Sequence, residues 1–212
     1  MKSLTSFLRS VLTVGGFTGL SRIFGLIREI LLSFFLGAGV VADAFIVAFK
    51  LPNFFRRFFA EGAFNAAYVP EFSGVLAKEG EKEAKILLNQ VFSWLSLVLF
   101  VFVLLFIIDS SKTPDRFNLA IEFSRITFPY ILFISQAALL AGVLNSLNKF
   151  AAAASAPIIL NICAICALIF GNGSGNILCY SIFLAGLLHF AWLYFITAKN
   201  GYGAKLEMPK LI

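Results

Sequence analysis

The chain has 212 residues, of which 60% are hydrophobic and only 13% are charged. Soluble domains average roughly 45–50% apolar and about 25% charged residues, so this composition excludes an ordinary water-soluble globule, a disordered chain and a nucleic-acid-binding module. The formal net charge of +6 comes from 17 basic and 11 acidic residues. In so apolar a chain, the position of each charge matters more than the total.

The first two predicted helices cover about residues 10–36 and 42–62, and both carry charges inside apolar stretches. A helix needs about 20 mostly apolar residues to cross a membrane. The start of the chain resembles a signal sequence, but no cleavage motif follows, which indicates a retained first helix. The charged and amide residues inside these two helices are Arg22, Arg28, Glu29, Asp43, Lys50, Asn53, Arg56, Arg57 and Glu61.

The rest of the chain predicts four further spans. Residues 71–85 form a mixed-charge segment that is typical of a solvated cytoplasmic surface. The spans follow at about 86–108, 126–147, 151–170 and 177–198. The last two contain all three cysteines, which read as small buried membrane residues, although Cys163-x-x-Cys166 also has the spacing of a redox or metal site. The predicted fold class is all-α, a polytopic membrane protein with six transmembrane helices.

The distribution of basic residues predicts the orientation, because cytoplasmic loops retain them. Twelve of the 17 lie in the N-terminus, the second and fourth connections and the C-terminal tail, whereas three lie on the opposite side and two within the first span. Both termini are therefore expected in the cytoplasm.

Two arginines inside the first helix define the main energetic problem. An Arg at the centre of a membrane helix costs about 2.5–3.5 kcal/mol on insertion scales, so Arg22 and Arg28 together cost roughly 5–7 kcal/mol. The 15 Val, Leu, Ile and Phe residues between Ser10 and Leu36 contribute about 4.5–9 kcal/mol, so the two sums nearly cancel. We expect the arginines to face other helices or a water-filled space. The alternative is that they snorkel to the headgroups or pair internally, for example Arg28 with Glu29 or Asp43.

The second helix repeats this pattern at higher density. In a continuous helix Asp43, Lys50, Arg57 and Glu61 fall within a narrow arc with Asn53 beside them, unless Pro52 shifts the register. Two cationic helix faces opposite each other would line a hydrated cavity suited to an anion. The planar guanidinium of arginine suits phosphate oxygens in particular. The alternative places Arg56, Arg57 and Glu61 at the cytoplasmic interface as membrane anchors.

No motif in the sequence assembles an enzyme site. We find no nucleophile with a base in sequence context, metal-ligand cluster, phosphate-binding loop or dinucleotide fingerprint. We expect no catalytic activity and no cofactor. Without a nucleotide site, any transport would run on an ion gradient, the membrane potential or a downhill substrate.

Three stretches resemble the MurJ/MviN family of lipid II flippases, within the MOP exporter superfamily. They are SRIFGLIRE (21–29), GAGVVADAFIVAFKLPNFFRRFFAEGAFNAAYVPEF (37–72) and ITFPYILFISQAALLAGVLNSLNKF (126–150). The resemblance extends over the whole chain and is strongest before residue 72.

The resemblance implies a bacterial inner-membrane transporter that moves lipid II, the undecaprenyl-pyrophosphate-linked peptidoglycan precursor, between leaflets by alternating access. By motif position, the residues expected to attract pyrophosphate are Arg22, Arg28 and Arg56, with Ser21 beside the first. Asp43 and Glu61 match functional acidic positions. Glu29 occupies a gating position where many relatives have Asp, so the gate geometry is expected to differ.

The length of the chain implies an N-terminal lobe alone, because members of the family have two six-helix lobes around a central cavity. Residues 1–212 would form this lobe, without a C-terminal lobe, and activity would need a partner lobe or a homodimer. Two alternatives are an exporter of another lipid-linked oligosaccharide or small molecule, and a non-transporting membrane scaffold or remnant. Besides lipid II, the expected partners are membrane lipids, and no nucleic acid is expected.

Overall fold

The computed structural model describes residues 2–57, 63–108 and 117–208, with the side chains of residues 2–11, 51, 56, 63 and 65 outside that description. This part of the chain contains eight helices and no strand, which confirms the all-α prediction. The helices are α1 (Lys2–Leu36), α2 (Val40–Arg56), α3 (Ala63–Lys78), α4 (Glu81–Ile108), α5 (Asn118–Thr127), α6 (Tyr130–Ser146), α7 (Phe150–Phe170) and α8 (Gly175–Lys199).

Four helical segments within the described ranges are long and apolar enough to cross a membrane. They are α4, the combined segment of α5 and α6 (Asn118–Ser146), α7 and α8, with mean hydropathies between 1.8 and 3.0. The two helices that contain the intramembrane charges, α1 and α2, lie outside this set of four. The sequence had predicted six spans.

The predicted span 126–147 is divided in two in the structure. A helix already begins at Asn118, and Phe128 and Pro129 separate α5 from α6. Proline has no amide hydrogen to donate and clashes with the preceding turn, so it interrupts a regular helix. The chain crosses the break through tight i to i+3 bonds, from the Ile131 amide to the Phe128 carbonyl (3.0 Å) and from the Leu132 amide to the Pro129 carbonyl (3.2 Å).

Other helix boundaries also differ from the predicted ones. The predicted helix 42–62 is described as α2, which ends at Arg56, and residues 58–62 lie outside the described part of the chain. The predicted charged segment 71–85 is helical, since it contains the end of α3 and the start of α4. The span predicted at 86–108 begins five residues earlier, at Glu81. Its acidic first turn is favourable at a helix N-terminus. The last two helices lie within two residues of the predicted 151–170 and 177–198.

Helix α6 lies at the centre of the packing. In the most apolar stretch of the combined α5–α6 segment 72% of residues are buried, against 22% in α4, which presents most of its surface outward. One core cluster joins α3, α4 and α6, with Phe72, Leu88 and Leu140 fully enclosed. The other joins α2, α5, α6, α7 and α8 around Phe45 and Ile182. Helix α1 packs mainly along α7 and leaves its other side exposed.

Candidate functional site

A cavity of about 320 Å³ brings together four of the polar residues that the sequence singled out. Helix α1 supplies Arg28 and Glu29, and α2 supplies Lys50 and Asn53. The rest of the wall consists of Leu, Ile, Phe and Ala side chains from α1, α2, α7 and α8. We call this cavity the Arg28 pocket. It combines two cations, one carboxylate and one amide with an apolar wall, so an anion that entered it would be attracted by the cations and would compete with Glu29 for Arg28.

Arg28 is held on two sides by its neighbours. Its Nη1 donates a hydrogen bond to Oδ1 of Asn161 on α7 (3.2 Å), and its Nη2 forms an ion pair with Glu29. The Arg28 side chain is 21% exposed and that of Glu29 is 60% exposed. The predicted alternative of an Arg28–Glu29 pair is therefore observed, and the Glu29 side of the pair lies on the surface of the described chain. An exposed pair of this kind contributes only about 0–1 kcal/mol, so an incoming anion can displace the carboxylate at low cost.

Asn161 connects α7 to two points of α1. While Oδ1 accepts from Arg28, Nδ2 donates to the backbone carbonyl of Ser21 at 3.0 Å. The side chain is buried, with 6% of the residue exposed. One neutral amide thus orients the guanidinium of Arg28 and also fixes the helix that carries it. Ser21 takes part through its backbone carbonyl, about two turns before Arg28.

The α2 side of the pocket is positioned by small residues. Ala44 and Ala48 are buried on the face of α2 that packs into the second core cluster, together with Phe45. Side chains three residues apart are neighbours on a helix surface, so Lys50 and Asn53 reach the same wall of the cavity. Lys50 is exposed and Asn53 half-buried.

The structure does not bring all predicted site residues together. Arg22 is exposed and does not line the Arg28 pocket. The two arginines are six residues apart, which places them about 120° apart around α1 and about 9 Å apart along it. Of the two arginines only Arg28 lines the Arg28 pocket, and the role expected of Arg22 stays a prediction.

Asp43 and Arg57 are also exposed and outside the lining of this pocket. Asp43 lies within about 20° of Lys50 around α2 but about 10 Å closer to its N-terminus. Arg57 is the C-cap residue of α2; its backbone angles are still helical, and its amide donates to the carbonyls of Asn53 and Phe54. The side chain of Arg56 and the whole of Glu61 lie outside the described residues. Among the described residues, no group of three or more His, Cys, Asp or Glu could hold a metal ion.

The sequence from residue 32 to residue 210 matches the protein family described as "Lipid II flippase MurJ". The chain belongs to the MurJ family. It is 38% identical over 224 residues to the "Probable lipid II flippase MurJ" of Rhizobium tropici, with 97% of this chain and 42% of that protein covered. It is 39% identical over 197 residues to the "Lipid II flippase MurJ" of Burkholderia cenocepacia, with 86% of this chain and 38% of that protein covered.

The fold is also similar to a solved MurJ structure. The match to "Lipid II flippase MurJ, inward closed conformation" has a TM-score of 0.75 at 27% sequence identity. It covers 92% of this chain and 43% of the solved one. The chain therefore spans less than half the length of the MurJ relatives it matches. Together with the apolar helices, this membership identifies a multi-pass membrane protein of a transporter family.

Asn161 is the residue of this MurJ chain that sequence reasoning missed. The spans were selected by the absence of Asp, Glu, Lys and Arg, so a neutral amide inside a charge-free helix did not register. The available signal was that Asn161 is the only Asn or Gln between Phe150 and Phe170. A single amide in such a helix needs a partner, because an unpaired polar group is costly in hydrocarbon.

Proposed function

We propose that the chain forms the N-terminal lobe of a lipid II flippase in the bacterial inner membrane, with six transmembrane helices and both termini in the cytoplasm. Membership of the MurJ family and the names of its relatives support the substrate. The distribution of basic residues supports the orientation. The cargo would be the undecaprenyl-pyrophosphate-linked peptidoglycan precursor. Alternating access needs two halves that move against each other, so a second lobe or a second copy of the chain would complete the transporter.

The Arg28 pocket is the observation that carries this proposal. Arg28 and Lys50 border one cavity from two helices, and their charges suit the pyrophosphate of the substrate. The guanidinium offers a planar pair of donors, whereas the ammonium acts as a point charge on a flexible stem. Asn161 keeps Arg28 in place, and the exposed Glu29 carboxylate competes with the phosphate for it.

The other site residues receive roles from the resemblance. Arg22, Arg56 and Ser21 would contact or attract the pyrophosphate at another stage of the cycle, when the lobes have moved. Glu29 would act in gating, and Asp43 and Glu61 in other acidic functions. Asn53 and Arg57 would contribute to the cavity or its cytoplasmic edge.

The energy source would be electrochemical, since the sequence contains no nucleotide-binding motif. The chain would act without a cofactor and without catalysing a reaction. Dissipating the membrane potential with an ionophore should then stop lipid II export by the complete transporter while cellular ATP stays constant. Export that continues after dissipation would contradict a potential-driven mechanism.

Binding of undecaprenyl pyrophosphate to the purified chain in lipid nanodiscs tests the site. Native mass spectrometry would compare the wild type with Arg28→Gln and Lys50→Gln. Lys199→Gln is the matched control, since it removes an exposed positive charge at the end of α8, outside the pocket. We expect each pocket variant to bind about tenfold more weakly, from the loss of one partly solvated charge-assisted bond. Pocket variants that bind like the control would contradict the site.

The identity of the substrate and the need for a second lobe require separate tests. Equal binding of lipids with other oligosaccharide heads would favour the alternative exporter. In flippase-depleted cells, the chain alone should fail to restore growth, whereas co-expression with a MurJ C-terminal lobe should restore it. Rescue by the chain as a monomer would overturn the half-transporter proposal. If this chain with Arg28→Gln still restores growth together with the C-terminal lobe, the alternative of a non-transporting membrane scaffold is favoured.

A further inference from the structure

Proline 52 leaves one backbone carbonyl of α2 without its ordinary helical partner. Pro52 is buried inside α2 and has no amide hydrogen. In an uninterrupted helix the carbonyl of Ala48 would accept a bond from the amide of residue 52. Ala48 is only 1% exposed, so bulk water does not replace the missing donor. A buried carbonyl in this position needs a donor from another part of the fold.

Thr127 supplies that donor from the last residue of α5. Its Oγ1 donates to the carbonyl of Ala48 at 3.1 Å, across 79 residues of sequence. The same hydroxyl lies 3.3 Å from the carbonyl of Ser124 in its own helix, so the bond to α2 is the shorter of the two. Thr127 is fully buried, directly before the break at Phe128 and Pro129. The contact therefore joins a point of α2 just before its proline to the end of α5.

The bond between Thr127 and Ala48 lies close to the part of α2 that lines the Arg28 pocket. Lys50 and Asn53, which line the Arg28 pocket, flank Pro52 in sequence, and Arg56 and Arg57 follow. A helix interrupted by proline has lost one of the bonds that hold its two halves in line. The hydrogen bond from Thr127 holds the part of α2 before Pro52 against the end of α5, close to the point where the part after Pro52 begins.

We propose that Thr127 is a positioning residue for the candidate site. Its hydroxyl donates to the Ala48 carbonyl, which has no amide partner at Pro52, and this bond sets the distance between Lys50 on α2 and Arg28 on α1. Thr127 itself touches neither the pocket nor its contents. Only the binding readout below rests on the proposed function, because the helix geometry can be measured without any substrate.

The experiment uses the dependence on Pro52. Thr127→Val keeps the shape of the side chain and removes the hydroxyl, and Thr127→Ser keeps the hydroxyl. Pro52→Ala restores an amide that can bond Ala48 within α2, so the hydroxyl should no longer matter in that background. Thr197→Val is the matched control, since Thr197 is equally buried but its hydroxyl donates to the Leu193 carbonyl within its own helix.

The first readout is a distance between spin labels on the full chain in nanodiscs. The labels replace the exposed Leu26 on α1 and Phe54 on α2, in a background whose three native cysteines are changed to alanine. We expect Thr127→Val to shift or broaden the distance distribution, and Thr127→Ser and Thr197→Val to leave it as in the wild type. Adding Thr127→Val to Pro52→Ala should cause no further change.

The second readout is binding of undecaprenyl pyrophosphate to the same variants without labels. Thr127→Val should bind about threefold more weakly, the fold-change that corresponds to an average hydrogen bond in a membrane protein. Thr127→Ser should show no such loss, and adding Thr127→Val to Pro52→Ala should not weaken binding further. If the wild type does not bind, the proposed function fails while the distances still test Thr127.

Three outcomes would overturn the role of Thr127. The first is an unchanged distance in Thr127→Val. The second is an equal change in Thr197→Val, and the third is an effect of Thr127→Val that is just as large beside Pro52→Ala. If Thr127→Val does not fold, recovery of folding in the double variant supports the inference, and failure of both overturns it.

Discussion

Replacing Asn161 with leucine tests how the candidate site is held together. The substitution keeps a similar volume but removes the bond to the Ser21 carbonyl (3.0 Å) and the bond to Arg28 (3.2 Å). A hydrogen bond between membrane helices averages about 0.6 kcal/mol. A bond to a charged group contributes about 1.5–3 kcal/mol, and we take the lower end because Arg28 is 21% exposed. The expected loss of stability is therefore about 2 kcal/mol.

The loss can be measured by reversible unfolding of the chain in detergent micelles, with tryptophan fluorescence as the signal. Ser155→Ala is the matched control, because Ser155 lies on the same helix and its hydroxyl donates to the carbonyl of Ala152 within α7. Its stability should stay within about 0.5 kcal/mol of the wild type. We also expect Asn161→Leu to weaken binding of undecaprenyl pyrophosphate, because Arg28 loses the group that orients it. A stability loss no larger than that of the control, with unchanged binding, would refute the assigned role of Asn161.

Two further predictions concern the pocket charge and the helix packing. Glu29→Gln should strengthen binding of pyrophosphate about 1.4- to fivefold at low salt, because it removes a competing carboxylate whose exposed pair with Arg28 contributes about 0.2–1 kcal/mol. Titration calorimetry at two salt concentrations checks this, and weaker binding would contradict it. Gly186→Ala should destabilise the chain by about 1–3 kcal/mol, because the new Cβ would lie 2.6 Å from a ring carbon of Tyr130. Gly25→Ala is its control in the same unfolding assay, since the Cβ there meets its nearest atom at an ordinary 3.8 Å, and equal effects of the two changes would contradict the packing of α8 on α6.

The site could be predicted in part from the spacing of charges along each helix. The helical period predicts that Lys50 and Asn53 lie near each other on α2, and both line the Arg28 pocket. The same period also shows that Arg22 and Arg28 point about 120° apart, which the expectation of a shared cavity had not taken into account. Pairing Arg28 with Glu29 was foreseeable from adjacency, whereas pairing it with Asn161 was not, because the two are 133 residues apart.

The helix boundaries failed where proline acts inside a longer apolar run. Hydropathy averages over a window and treats Pro129 as one more residue near a span end, but its missing donor divides the run into α5 and α6. At Pro52 the helix continues, and the hydroxyl of Thr127 donates to the Ala48 carbonyl there. One sequence does not show which distant residue donates a hydrogen bond to a given backbone carbonyl, and Thr127 and Ala48 are 79 residues apart.

The amino-acid sequence by itself determined that this is an all-helical membrane chain, that the charges inside its apolar stretches lie in the first two predicted helices, and that it resembles the MurJ family. Those properties follow from composition, local periodicity and contiguous motifs, which depend only on the residue types and on residues close together in sequence. The tertiary structure alone decided that Arg28 meets Asn161, that Thr127 bonds the carbonyl left open by Pro52, and that Arg22 and Asp43 lie outside the Arg28 pocket. The physical reason is that helical period defines the direction of a side chain about its own axis, whereas its partner depends on which helix packs there.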